Sequence, residues 1–171
     1  ITDDAGNVTT YGYDPNGNRN LITDAESNST TFVYDERDLL WKVIDAQNNI
    51  TRYSYDANGS LEKIEDAKLN DTTYAYDGFD RLISATYADL SKEEYTYDAN
   101  SNLNTKKDPK GQVTYYDYDV LNRLGEKGLS PNGTVPDSVI TYTYDKGSRL
   151  TDVTDVRGAI HYNYDTLNRV T

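Results

Sequence analysis

Tyr53-Ser54-Tyr55-Asp56-Ala57-Asn58-Gly59-Ser60-Leu61 decides how the chain is read, because its opening Tyr-x-Tyr-Asp returns at fixed intervals. Copies stand at Tyr11-Gly12-Tyr13-Asp14, Phe32-Val33-Tyr34-Asp35, Tyr74-Ala75-Tyr76-Asp77 and Tyr95-Thr96-Tyr97-Asp98. Three more follow at Tyr116-Asp117-Tyr118-Asp119, Tyr142-Thr143-Tyr144-Asp145 and Tyr162-Asn163-Tyr164-Asp165. From Asp14 to Asp119 the aspartates are evenly spaced; the step to Asp145 is longer, and the step to Asp165 shorter by one. A fixed period of this size is the signature of a repeat array, so residues 1–171 read as one array of about eight repeats.

Composition alone points elsewhere. The 171 residues hold 33 Ile, Leu, Val and Phe and a net charge of -12, values usual for disordered chains. Tyrosine reverses that reading. Of 17 tyrosines, all but Tyr87 and Tyr115 lie in the repeated motif, where a large amphipathic ring supplies the apolar mass of an ordered β protein.

Charge and composition also bound the partners. With 29 acidic against 17 basic residues there is no basic stripe to neutralise phosphates, which argues against a nucleic-acid partner. No apolar run is long enough to span a bilayer, so no membrane insertion is expected in this segment. The absence of cysteine excludes disulfides and thiolate metal sites.

Counting from each motif Asp as position 0 gives the plan of a repeat. Position +3 holds Gly17, Asp38, Gly59, Asp80, Ser101, Asn122, Ser148 and Asn168, all of them turn formers or tolerant of left-handed backbone. A second turn begins at +10 with Asp24, Asp45, Asp66, Asp108 or Asp155, and Gly111 and Gly158 close it at +13. Two turns per repeat leave two short strands. One carries leucine at +5 (Leu40, Leu61, Leu82, Leu103, Leu124, Leu150) and Ile22, Val43, Ile64 and Val153 at +8; the other runs into Tyr-x-Tyr, whose rings share a face. Positions +5 and +8 differ in parity. Either a bulge intervenes or the leucine belongs to the turn.

Stacked as rungs of a β-helix, the repeated aspartates would form a like-charge column about 4.8 Å apart, costing up to roughly 1 kcal/mol per pair in water. An antiparallel meander doubles that distance and suits the short turns, so it is the expected arrangement. The long step is assigned to a loop at about 125–138, which carries Pro131, Asn132-Gly133 and Pro136. The chain opens at +8 and stops at +6, which reads as an excerpt of a larger protein or as a unit whose edge strands join neighbours.

The pattern Tyr-Asp-x-x-Gly-x-Leu, an Asp-x-x-Gly turn and a closing Tyr-x-Tyr-Asp resembles the YD (Rhs) repeat of Rhs and wall-associated polymorphic toxins, insecticidal toxin-complex shell proteins and teneurins. Asp56-Ala57-Asn58-Gly59-Ser60-Leu61 and Asp98-Ala99-Asn100-Ser101-Asn102-Leu103 carry it most fully, and it covers the whole chain. The resemblance implies an all-β hairpin ribbon that curls into a spiral shell or tube. It also implies a structural, non-enzymatic role on a secreted or cell-surface bacterial protein, with a toxin domain enclosed or displayed and further YD repeats, of the same or neighbouring chains, as partners. Bacterial relatives end in an Asp-Pro-x-Gly-Leu self-cleavage motif. Asp108-Pro109-Lys110-Gly111 matches in part, but Gln112 replaces the leucine and the segment lies in register as a second turn.

No catalytic, cofactor or metal site is expected. His161 is the sole histidine, with no cysteine or nucleophile elbow to complete a hydrolase set. Turn Asp and Asn residues could offer calcium hard oxygens, but their spacing fits neither an EF-hand nor the glycine-rich nonapeptide, and Asx-turn bonding accounts for them. Six Asn-x-Ser/Thr sequons, at Asn7, Asn28, Asn49, Asn58, Asn70 and Asn132, follow from a composition rich in Asn and Thr. The tyrosine rows read as packing against neighbouring Leu and Val. Two other roles compete with a shell wall: glycan binding through exposed tyrosine rows, and a filament grown edge to edge. Trp41, the lone tryptophan, reads as a local packing anchor.

Overall fold

The computed structural model describes residues 1–130 and 138–171. They form two compact units, Ile1–Leu90 and Ser91–Thr171. The first holds β1 (Thr10–Tyr13), β2 (Arg19–Thr23), β3 (Ser29–Tyr34), β4 (Leu40–Ile44), β5 (Ile50–Tyr55), β6 (Leu61–Glu65), β7 (Asp71–Tyr76) and β8 (Leu82–Thr86). The second holds β9 (Lys92–Tyr97), β10 (Leu103–Lys107), β11 (Val113–Tyr118), β12 (Leu124–Ser130), β13 (Ser138–Tyr144), β14 (Leu150–Asp155) and β15 (Gly158–His161). Within each unit every strand pairs antiparallel with its neighbours in the chain, and no connection crosses over. The meander, not the β-helix, is what the chain forms.

The parity conflict is settled by a bulge. Across β5·β6, Ser54 lies opposite Lys63 but Tyr55 opposite Leu61, so Glu62 has no partner. The same slip recurs in β3·β4, where Trp41 is passed over, and in β7·β8, where Ile83 is. Each extra residue at +6 returns +5 and +8 to one face. That face carries both tyrosines of the motif: Tyr53 pairs with Ile64, Tyr74 with Ala85, Tyr142 with Val153, and the second tyrosines with leucine at +5. The other face is polar, with Lys63 opposite Thr73 and Asp152 opposite His161.

Within each unit no second layer of described residues covers either face. Among the described residues only Ser84, Ala85, Gly128 and Ser130 are buried. Trp41 is 47% exposed, so it packs no core and is not the anchor expected from sequence. Tyrosines, leucines and valines are instead half-buried against one another along the sheet, each cross-strand pair contributing about 0.2 to 1 kcal/mol.

Both departures from the regular step have a cause. The sequence predicts a loop at about 125–138, yet Gly125–Ser130 continues β12, and β12 and β13 are seven residues each. Pro131, Asn132, Gly133 and Pro136 lie outside the described residues. The final repeat is short because β14 and β15 join through only Val156 and Arg157, with Asp155 opposite Gly158. Second turns such as that of Asp24, whose N–H bonds the Asn28 carbonyl, enclose one residue more.

Candidate functional site

What recurs is a pair of turns and a tyrosine clamp. In a first turn the N–H of Gly59 donates to the Asp56 carbonyl at 3.2 Å and the N–H of Asp56 to the Ser60 carbonyl at 3.0 Å, a type I turn closed by a left-handed residue. One carboxylate oxygen of Asp56 accepts the N–H groups of Asn58 and Ser60, both at 2.9 Å. The Asp therefore organises the loop from inside it. Every residue at +3 has positive φ, from 57° at Asp80 to 90° at Gly17.

Second turns repeat this geometry. Asp24, Asp45 and Asp66 each accept two backbone N–H groups, and Asn28, Asn49 and Asn70 add a side-chain amide bond of 2.8 to 2.9 Å to the same carboxylate. These asparagines, with Asn7, account for four of the six sequons; each closes a turn around an Asp. Asp108-Pro109-Lys110-Gly111 is an ordinary second turn as well, with Gly111 N–H on the Asp108 carbonyl at 2.9 Å. Glycine closes fewer second turns than the sequence suggests, since Ser27, Asn48, Leu69 and Leu90 take the left-handed position.

In the second turns of Asp24, Asp45 and Asp66 these bonds favour the charged carboxylate. For Asp24, Asp45 and Asp66 the neighbouring Asn amide is the largest cause of a lowered pKa. In Asp77 and Asp119 it is the Arg81 or Arg123 side chain, and in Asp35 the N–H of Leu39.

The motif's second tyrosine clamps neighbouring repeats. Tyr55 hydroxyl donates to the Leu40 carbonyl and Tyr76 hydroxyl to the Leu61 carbonyl, both at 2.9 Å. Tyr34, Tyr144 and Tyr164 do the same to Arg19, Leu124 and Leu150. The β4·β5 ladder ends at Lys42↔Arg52, so Leu40 lies beyond it and the phenol bridges strands that have begun to part. Burial pushes the phenol pKa of Tyr55, Tyr76 and Tyr118 up. Tyr13 departs from the set: it faces Arg19 instead of leucine and is mostly exposed.

First-turn tips are also linked to the next repeat, which the sequence reading missed. The side-chain amide of Asn16 reaches Asp38 at 2.8 Å, Asn58 reaches Asp80 at 3.1 Å, and Asn100 reaches Asn122 at 3.1 Å. In the second unit Arg123 donates to Ser148 Oγ at 3.0 Å and lies 4.5 Å from the Tyr144 ring centroid; Arg149 treats Asn168 and Tyr164 alike. A signal existed. Position +2 reads Asn16, Arg37, Asn58, Phe79, Asn100, Leu121, and +3 alternates Gly or Ser with Asp or Asn, so the tips recur with every second copy of the motif.

The motif residues, Tyr11 through Asp165, thus recur as equivalent contacts from repeat to repeat; Asp56, Tyr74, Tyr76 and Asp77 also line an open groove of about 520 Å³ with Asn58 and Asp80. His161 bonds Asp152, which also accepts from Thr143 Oγ1 at 2.7 Å.

The family model for the Teneurin YD-shell matches residues 1–124. This chain belongs to that family. No curated protein matches. The YD-shell chain is similar in fold to solved toxin-complex structures: TcdB2-TccC3-Cdc42, with TM-score 0.77 and 20% identity over 95% of this chain and 10% of that one, and TcdB2-TccC3-TEV, with 0.75 and 20% over the same shares. A third is the Photorhabdus luminescens Tc holotoxin pore, at 0.71 and 17%, covering 95% of this chain and 12% of that one. The YD-shell segment thus spans about a tenth of the chains it matches.

Proposed function

We propose that residues 1–171 are a length of non-enzymatic wall in a bacterial YD-shell protein, secreted or displayed at the cell surface, and that the shell encloses a toxin domain. On this reading the eight repeats form one stretch of ribbon that curls with further YD repeats into the shell. The observation that carries it is the commitment of the recurrent polar groups to joining repeats. Motif aspartates accept N–H donors of their own turns, and tyrosine hydroxyls take carbonyls of the repeat before. Such side chains hold a ribbon together and are not left free to act on a substrate. The fold likeness to Tc toxin structures supports an enclosed cargo.

Protease protection tests this in the full-length protein. The segment that follows the repeats should resist digestion while the shell is folded and be cleaved once it is unfolded. Digestion as fast as that of the same segment alone would defeat the encapsulation reading.

A further inference from the structure

We propose that Asn58 is a site of self-modification: its side-chain amide is lost through a cyclic imide formed with the nitrogen of Gly59, and the carboxylate left behind breaks the link to Asp80. Asn-Gly suits this ring closure best, because glycine puts no side chain in the way of its own nitrogen and its backbone is the most permissive. Among the described residues the dipeptide occurs at two first-turn tips, Asn16-Gly17 and Asn58-Gly59; Asn132-Gly133 lies outside them. Asn58 is exposed to water. The N–H of Gly59 closes its turn on the Asp56 carbonyl at 3.2 Å, the longest such bond among the described first turns.

The Asn16 tip is held more firmly. Pro15 pre-sets its turn, and the Asp38 oxygen that takes the Asn16 amide at 2.8 Å also takes that of Asn18 at 2.7 Å. At the later tip Ser60 stands in place of Asn18, and Asp80 receives the Asn58 amide at 3.1 Å. Asn100 is the matched control within the same chain. Its amide also spans 3.1 Å to the next tip, but Ser101 follows it, and Asn122, not a carboxylate, accepts it.

The step consumes one water and releases one ammonia, with no change of oxidation state. The Gly59 nitrogen gives its proton to solvent and bonds to Asn58 Cγ; the Cγ–Nδ2 bond breaks, and Nδ2 takes up a proton and leaves as ammonia. Water then opens the imide at either carbonyl. The main chain runs on through its original carbonyl or through the former side-chain one, and a carboxylate remains. An amide that donated to Asp80 is now an acceptor, so two carboxylates face each other where the link stood. Because the Gly59 N–H must first leave the Asp56 carbonyl, the hold of Asp80 on the tip sets the pace. Conversion is irreversible, so the first unit carries a clock at one of its joints. The reaction rests on the tip geometry and does not depend on the shell reading.

The folded 171-residue chain is incubated at neutral pH, and peptides covering Asn58 and Asn100 are followed by mass spectrometry, which reads the exchange of NH2 for OH. Asn58 should convert well before Asn100. Asp80→Ser copies the left-handed residue of two other tips, Ser101 and Ser148, and keeps the turn. It should speed conversion of Asn58 about two- to five-fold, the release of one hydrogen bond, and leave Asn100 unchanged. Asn58→Asp, which carries the charge of the product, should melt about 2 to 4 °C below Asn58→Ala, a gap that salt closes. Equal conversion at Asn58 and Asn100, a rate indifferent to Asp80→Ser, or equal melting of Asn58→Asp and Asn58→Ala would overturn the proposal.

Discussion

The two turns of each repeat share one loop geometry and differ in what they hold. Around Asp45 the contacts stay inside the loop: two backbone N–H groups and the Asn49 amide close on a single carboxylate. Around Asp56 the same core is present, but Asn58 reaches outward to Asp80 in the next repeat, and Tyr55, the residue before, reaches back to Leu40. Within the first unit the second turns of Asp24, Asp45 and Asp66 close on their own asparagines, whereas the first-turn tips Asn16 and Asn58 reach the next repeat. A single local rule, the Asp-centred turn, thus serves both as punctuation and as a joint, depending only on the side chains at +2, +3 and +4.

Acid should act on both kinds of turn and gives the largest effect. Lowered aspartate pKa values mean that the turns' contribution to stability is complete above the unfolded value of about 3.9 and is lost as pH falls through the folded values. Melting temperature should therefore be flat from neutral pH down to about pH 5 and drop steeply below about pH 4. A titration that loses stability between about pH 7 and 5 would place the coupling on other groups.

The tyrosine clamp separates packing from bonding. Tyr76→Ala should cost about 2 to 4 kcal/mol in chemical denaturation, and Tyr76→Phe about 1 kcal/mol, the net worth of one hydrogen bond. If the two variants unfolded alike, the Leu61 carbonyl bond would carry the whole effect.

The linked tips predict coupling that the self-contained turns lack. A double-mutant cycle of Asn58→Ala with Asp80→Ala should return an interaction of about 0.5 to 1 kcal/mol. A cycle of Asn49→Ala with Asn70→Ala, one repeat apart among the second turns, should return about zero. Equal values would erase the distinction.

The smallest change sharpens the second turns. Leu90 has φ 66° and is 83% exposed, so it bears the left-handed strain without a packing return. Leu90→Gly should stabilise by about 0.5 to 1 kcal/mol, the relief of that strain less the added freedom of the unfolded chain. A loss of stability would mean that the leucine makes contacts that outweigh its backbone.

Much of this was legible because the period fixes what is equivalent. The residue types at +3 proclaimed left-handed turns, and the Asp-to-N–H bonds followed from Asx chemistry. The bulge was half legible: parity required a correction between +5 and +8, but only the register of Tyr55 with Leu61 placed it at +6. Leu69 and Leu90 were opaque, since nothing in a leucine announces positive φ; the neighbouring turn geometry imposes it. The tip links were hidden for a different reason. Asn58 and Asp80 lie in successive repeats, and their meeting depends on how far successive hairpins are offset, which turn chemistry alone does not set.

In the first unit the alternation of asparagine tips gives a unit of growth twice the length of the visible motif. Excising two repeats, Asp35–Tyr76, would seat Asn16 against Asp80, a pair of the kind already present at Asn58. Excising one, Asp35–Tyr55, would bring Asn16 to Gly59, which has no side chain to accept its amide. Along the first unit, a change by an even number of repeats should thus keep the Asn-to-Asp tip links, and an odd change breaks one.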